Sequence, residues 1–256
     1  MINARNKLLL AIILIVTTVG LIFAAVQSRI SSEARQTVAD TLTTVRDTTH
    51  HSIKTWFKEH KAAATIWANA PPVRLAAEQL LKVSPEQAAL IASPAQDNLR
   101  AWFNQLRAAT RYQGYFLVGP ANINLASSRD QNVGSENLLG SQHDFLTRIW
   151  NGETAVSLPL ASDVPLPDED NELRANLPTM FAAAPIVDDS DNVIAIFMFR
   201  LMPAEGFSSI LQQGRIGNSG ETYAFDRHAR LLSQSRFDRE LQSAGIVDPD
   251  KRAMLN

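Results

Sequence analysis

The 256-residue chain contains no cysteine. That excludes disulfides, thiolate-ligated zinc and thiol catalysis, and it suits an oxidising compartment. A long basic run is missing too, since 24 Lys and Arg stand against 26 Asp and Glu for a formal charge of −2. Such a balance argues against a nucleic-acid partner, which demands many phosphate contacts. Catalytic constellations are also lacking. His50, His51 and His60 have no partner at i+4 as a helical zinc site requires, and they read as solvated helix histidines. The acidic runs Asp168–Asp170 and Asp188–Asp191 lack the glycine and glutamate positions of a calcium loop, so they read as solvated loops. No metal, no cofactor and no enzymatic activity is expected.

Glycine and proline are absent between Gly20 and Pro71, so nothing in that stretch breaks a helix. Leu8–Val26 carries no charge, and its 19 residues at about 1.5 Å each span roughly 28 Å, the thickness of a bilayer's hydrocarbon core. A cleaved signal peptide has a shorter apolar region of about 7–15 residues, which favours an anchor here. Arg5 and Lys7 precede the run with no acidic residue beside them, placing the N-terminus in the cytoplasm and the rest of the chain in the periplasm. Beyond it Ile30, Ala34, Val38, Leu42, Val45, Ile53, Trp56, Phe57, Ala64 and Trp67 recur at helical steps, and Ala70-Pro71-Pro72 ends the pattern. The spacing predicts one long stalk helix whose apolar stripe needs a partner, either a domain or a second copy in a homodimer.

Ser84-Pro85-Glu86-Gln87 predicts a helix start with Ser84 as N-cap. A further helix carries Leu99, Trp102, Phe103 and Leu106 on one face and ends near Tyr112-Gln113-Gly114. The periodicity then shortens. Tyr115–Gly119, Ile123–Ser128, Thr154–Leu160, Thr179–Val187 and Asn192–Met202 read as strands, the last central because NVIAIFMF is apolar without alternation. Helices followed by strands give an α+β fold, with helices stacked on one face of an antiparallel sheet. Pro203–Arg215 reads as a helix leaving that sheet. Gly214, Gly217 and Gly220 then follow a helix and precede a strand, the reverse of a dinucleotide fingerprint. Gly214 reads as a helix C-cap, and ETYAFD with RLLSQSRF reads as a β-hairpin.

The run Thr179–Phe237, TMFAAAPIVDDSDNVIAIFMFRLMPAEGFSSILQQGRIGNSGETYAFDRHARLLSQSRF, resembles the double Cache sensor domains of bacterial transmembrane receptors. The resemblance implies a cytoplasmic tail (1–7), a transmembrane helix (8–26), a stalk (27–83), a PAS-like membrane-distal Cache module (84–202), and a linking helix with the start of a membrane-proximal module (203–256) that the chain does not finish. It implies an extracytoplasmic small-molecule sensor in the inner membrane, feeding a histidine kinase, cyclase or chemotaxis output. Its site should lie on the sheet face away from the long helices. Arg129 and Asp130, directly after the second strand, turn into such a site; Phe181 walls it, and Arg200 closes the fifth strand. The bland alternative makes Arg129 and Asp130 turn residues and Arg200 a solvated strand end. Two departures stand out. Ser127-Ser128-Arg129-Asp130 lacks the Trp-Tyr pair of amino-acid-binding relatives, and Ala229 stands where similar sequences carry glycine. The rival functions are a structural protein dimerising through the long helix and a periplasmic hydrolase.

Overall fold

The computed structural model describes residues 4–110, 112–167, 172–217, 220–248 and 253–255. Two compact units divide the chain, Met1–His50 and His51–Asn256. Helix α1 runs over Ala4–Ala68, and in the first unit it exposes the apolar side chains of Ile12 to Val26. It is the one helix among the described residues long and apolar enough to cross a membrane.

In the second unit α1 gives way, at Pro71, to α2 (Pro71–Leu80). Then come α3 (Gln87–Ile91) and α4 (Pro94–Ala109). The Ser-Pro start lies one motif later than the sequence predicts. Glu86, with extended backbone, is the N-cap of the five-residue α3, and Ser84 caps nothing. Ser93-Pro94 opens the long α4 instead, the Ser93 Oγ accepting from the Ala95 N–H at 3.4 Å. Only that second pair is followed by enough amphipathic sequence to reward a cap.

Strands β1 (Tyr115–Val118) and β2 (Asn124–Ser127) pair antiparallel. Helix α5 (His143–Trp150) follows, and then β3 (Ala155–Val156), β4 (Leu160–Ala161), β5 (Leu166–Pro167) and β6 (Leu173–Arg174). The expected third strand is thus split into β3 and β4 around Pro159, which has no N–H to give a ladder. The long hairpin β7 (Pro178–Val187) and β8 (Val193–Leu201) completes the fold. The main sheet has the order β2-β1-β8-β7-β3, with β4 also on β7. β8 is central, as its unbroken apolar run predicts.

Alternation divides the core between the two sheet faces. Phe197, Phe199, Tyr115 and Ala182 join the second-unit part of α1 with α2 and α4, through Trp67, Val73, Leu80, Leu99 and Phe103. Phe116, Phe181, Ile196 and Met198 form the other face, with Leu146 and Ile149 of α5 over them. His60 corrects its sequence reading. It is half-buried on the helix side, its ring 4.3 Å from that of Trp56 and its Nδ1 3.3 Å from the Tyr112 hydroxyl.

Helix α6 (Phe207–Gln213) and α7 (Asp238–Ser243) lie in the remaining segment. Gly214 is the C-cap of α6 at φ −78°, so it uses no left-handed freedom. The hairpin expected over Glu221–Phe237 is reduced to one bridge, Phe225 with Leu231. Asp226 organises its turn, accepting from the backbone of His228 at 2.8 Å and of Arg230 at 3.0 Å. Ladders beyond the tip do not form because only Ala224 and Leu232 pack on the main core, while Phe225 is exposed.

Candidate ligand site

Side chains at i, i+2 and i+4 of a strand share a face, so Ile196, Met198 and Arg200 of β8 point together. The first two are covered by α5 and its neighbours. Arg200 pairs across the ladder with Phe181 of β7. Its guanidinium carbon lies 4.8 Å from the Phe181 ring centroid and 5.7 Å from that of Phe116. The side chain is only 5% exposed. A charge that deep needs partners, and it has three.

Arg200 Nη2 donates to Asp163 Oδ1 at 2.6 Å, and Nη1 donates to Ser162 Oγ at 3.0 Å and Thr179 Oγ1 at 3.4 Å. Asp163 sits on the loop after β4 with its side chain 22% exposed. Its second oxygen accepts from Asn132 Nδ2 at 2.5 Å. Ser162 is fixed in turn, its N–H on the Leu177 carbonyl and its Oγ donating to the Val164 carbonyl. Burial pulls the Arg200 guanidinium below its ordinary value; Asp163 opposes that, and the nearby charge of Arg129 adds to it.

Arg129 reaches the same loop as Asp163, two residues further on. It is half-buried, and among the described residues its side chain makes one hydrogen bond, from Nη1 to the Pro165 carbonyl at 3.1 Å. Asp130 turns the other way. Its carboxylate meets Arg100 of α4 at 2.5 Å, and its carbonyl accepts from Gln87 of α3. Adjacent residues leaving an extended strand face opposite sides, which separates the two. So Phe181 and Arg200 come together on the sheet face away from the long helices, Arg129 reaches the adjoining loop at Pro165, and Asp130 braces the helical layer. The alternative of a solvated strand end does not describe Arg200, which is buried.

Asp163, Asn132, Ser162 and Thr179 were missed by sequence reasoning. One signal called for an acidic partner without naming it: an arginine on an otherwise buried apolar strand requires an anion. Among the described residues no cluster of three His, Asp or Glu side chains could hold a metal. The acidic run Asp168–Asp170 lies outside the described residues.

No protein-family model and no curated protein sequence matches the chain. Solved structures do resemble it. The Escherichia coli DcuS sensor domain is 15% identical, with 64% of this chain and 97% of that one covered at a TM-score of 0.43. The sensory domain of the Campylobacter jejuni chemoreceptor Tlp3 (CcmL), solved with isoleucine bound, is 13% identical, with 79% and 70% covered at 0.44. The Vibrio cholerae histidine kinase DctB sensor domain is 16% identical, with 75% and 66% covered at 0.39. The chain is similar to sensor domains.

Proposed function

We propose that the chain is the extracytoplasmic small-molecule sensing region of a bacterial transmembrane signalling receptor, of histidine kinase, cyclase or chemoreceptor type. Residues 8–26 anchor it in the inner membrane, 84–202 form the membrane-distal sensing module, and 203–256 begin a second module. The ligand is a small anion, held by Arg129 against the wall made by Phe181 and Arg200. One observation carries this reading. Among the described residues Arg129 bonds the Pro165 carbonyl of the loop whose Asp163 pairs with Arg200, so both guanidiniums hold one loop at this end of the sheet. The spare donors of Arg129 suit a carboxylate or phosphate-like group, at about 1.5–3 kcal/mol for a charge-assisted bond.

A thermal-shift screen of small carboxylates and phosphates tests the reading. Arg129→Ala should weaken binding of a stabilising hit about tenfold or more, equivalent to about 1.4 kcal/mol or more. Unchanged affinity in a variant that folds normally removes Arg129 from the site. A homodimer is a separate part of the proposal. Ile30, Val38 and Leu42 are all exposed on α1, an apolar stripe suited to a second copy. Light scattering of a detergent-solubilised chain showing only monomer would refute the dimer.

A further inference from the structure

We propose that Arg200 is a carboxylate-binding position which the chain's own Asp163 fills in the absence of ligand, and from which an incoming carboxylate displaces it. This rests on the anion-sensing reading above and gives that site its moving part. The two members of the pair are held very differently. Arg200 is fixed, its backbone N–H on the Gly114 carbonyl at 2.8 Å, its own carbonyl accepting from Gln113 at 3.1 Å, and its guanidinium stacked on Phe181. Asp163 is presented by a loop between two-residue strands, and among the described residues its carboxylate is held by two side-chain bonds, from Arg200 and Asn132.

An external carboxylate at the same point would accept from the same two donors. Exchange therefore restores the bonds it breaks, and it leaves no buried cation unpaired. Asp163 regains water on leaving, since its loop already reaches solvent.

Arg129 holds the same loop two residues further on, through the Pro165 carbonyl. The loop is thus strapped at Asp163 and at Pro165 by two cations, and an anion competing for either loosens it. Val164 and Leu166 stay anchored in their own apolar cluster with Leu177, so the strap opens without leaving the domain. Ligand binding then has two distinguishable states to choose between, which is what a sensor needs.

Acetate, titrated against chloride at constant ionic strength, is the probe. Asp163→Ala removes the internal occupant, and Asp163→Asn keeps its shape without its charge. Acetate should stabilise either variant saturably, by about 3 °C or more in Tm at tenfold over its Kd. In the unaltered chain the apparent Kd should be at least tenfold higher, because Asp163 competes. Adding Arg200→Gln to Asp163→Asn should abolish the effect. Should Asp163→Ala fail to fold, Asp163→Asn carries the test alone. Equal acetate response in the unaltered chain, rescue that survives Arg200→Gln, or no rescue in a folded variant each overturns the inference. Absent rescue does so even where Arg129-dependent binding persists. A null effect of Arg129→Ala beside intact rescue overturns only the sensing reading.

Discussion

Arg200 and Asp163 are 37 positions apart in sequence yet 2.6 Å apart in space, and the energetics of that contact decide what a substitution does. Removing one member of a buried pair strands the other, at about 3–5 kcal/mol, whereas replacing both by apolar groups is often neutral. Asp163→Leu should therefore lower the unfolding free energy by about 3 kcal/mol by stranding the buried Arg200, and adding Arg200→Met should recover most of that loss. Urea denaturation of the two variants beside the parent checks it; equal destabilisation by single and double substitutions would show that the pair is not the cause. The arginine was legible because it interrupts an apolar run, but its partner was not. Asp163 follows a two-residue strand with no periodicity of its own, and only the folded register brings it under β8. His60 gives a second residue-scale prediction. Burial among Trp56, Tyr112 and Phe199 lowers its pKa, and Glu59 opposes this less strongly. The unfolded chain then binds the proton more readily, so His60 favours the fold above pH 6.5, the ordinary value, and that contribution is lost as pH falls below it. Stability measured between pH 7.5 and 5 should fall less steeply in His60→Gln than in the parent. Parallel curves would count against it.

Among the elements, those with long periodic signals were legible: β7 and β8 lie within one residue of where the pattern puts them, while α1 starts at Ala4, ahead of Leu8, and α4 ends at Ala109, short of Tyr112. The short ones were not. Two successive Ser-Pro pairs look alike locally, and what separates them is the amphipathic length that follows. The turn Asp226–Arg230 shows a conflict that the sequence did reveal. Ala229 lies at φ +61°, in the left-handed region where a Cβ costs about 1–2 kcal/mol. Glycine removes that strain but loses more chain entropy on folding, about 0.5–1 kcal/mol. Ala229→Gly should therefore stabilise the segment by about 0.5–1 kcal/mol, seen as slower amide exchange at Arg230 and Leu232, whose N–H groups bond across the turn. Slower exchange nowhere, or faster exchange at both, would mean that the turn is not strained in solution. The same experiment compares this segment with the sheet. Amides of residues 220–248 should exchange much faster than those of β7 and β8, because one bridge is all that pairs Phe225 and Leu231, whereas β7 and β8 are bonded along their length.

For the whole molecule, the membrane assignment rests on α1, and its orientation on few charges. Arg5 and Lys7 lie just before the apolar run, while Arg29 and Arg35 follow within a few residues of its other end. Two cations on each flank would leave the helix nearly balanced if flanking charge alone decided. The asymmetry comes from length. On the proposed topology the long following domain is translocated largely regardless of charge, so Arg29 and Arg35 weigh less than Arg5 and Lys7. That argument yields an outcome which differs between the chain and one variant. A reporter active only in the periplasm, fused after Ala161, should be active in the unaltered chain, and its cytoplasmic counterpart silent. Arg5→Ser with Lys7→Ser removes the charge that retains the tail and leaves Arg29 and Arg35 unopposed. A measurable fraction of the variant should then invert, with periplasmic signal falling and cytoplasmic signal appearing. Cytoplasmic activity in the unaltered chain would reverse the orientation. A variant that keeps its full periplasmic signal would show that domain length alone, and not Arg5 and Lys7, sets it.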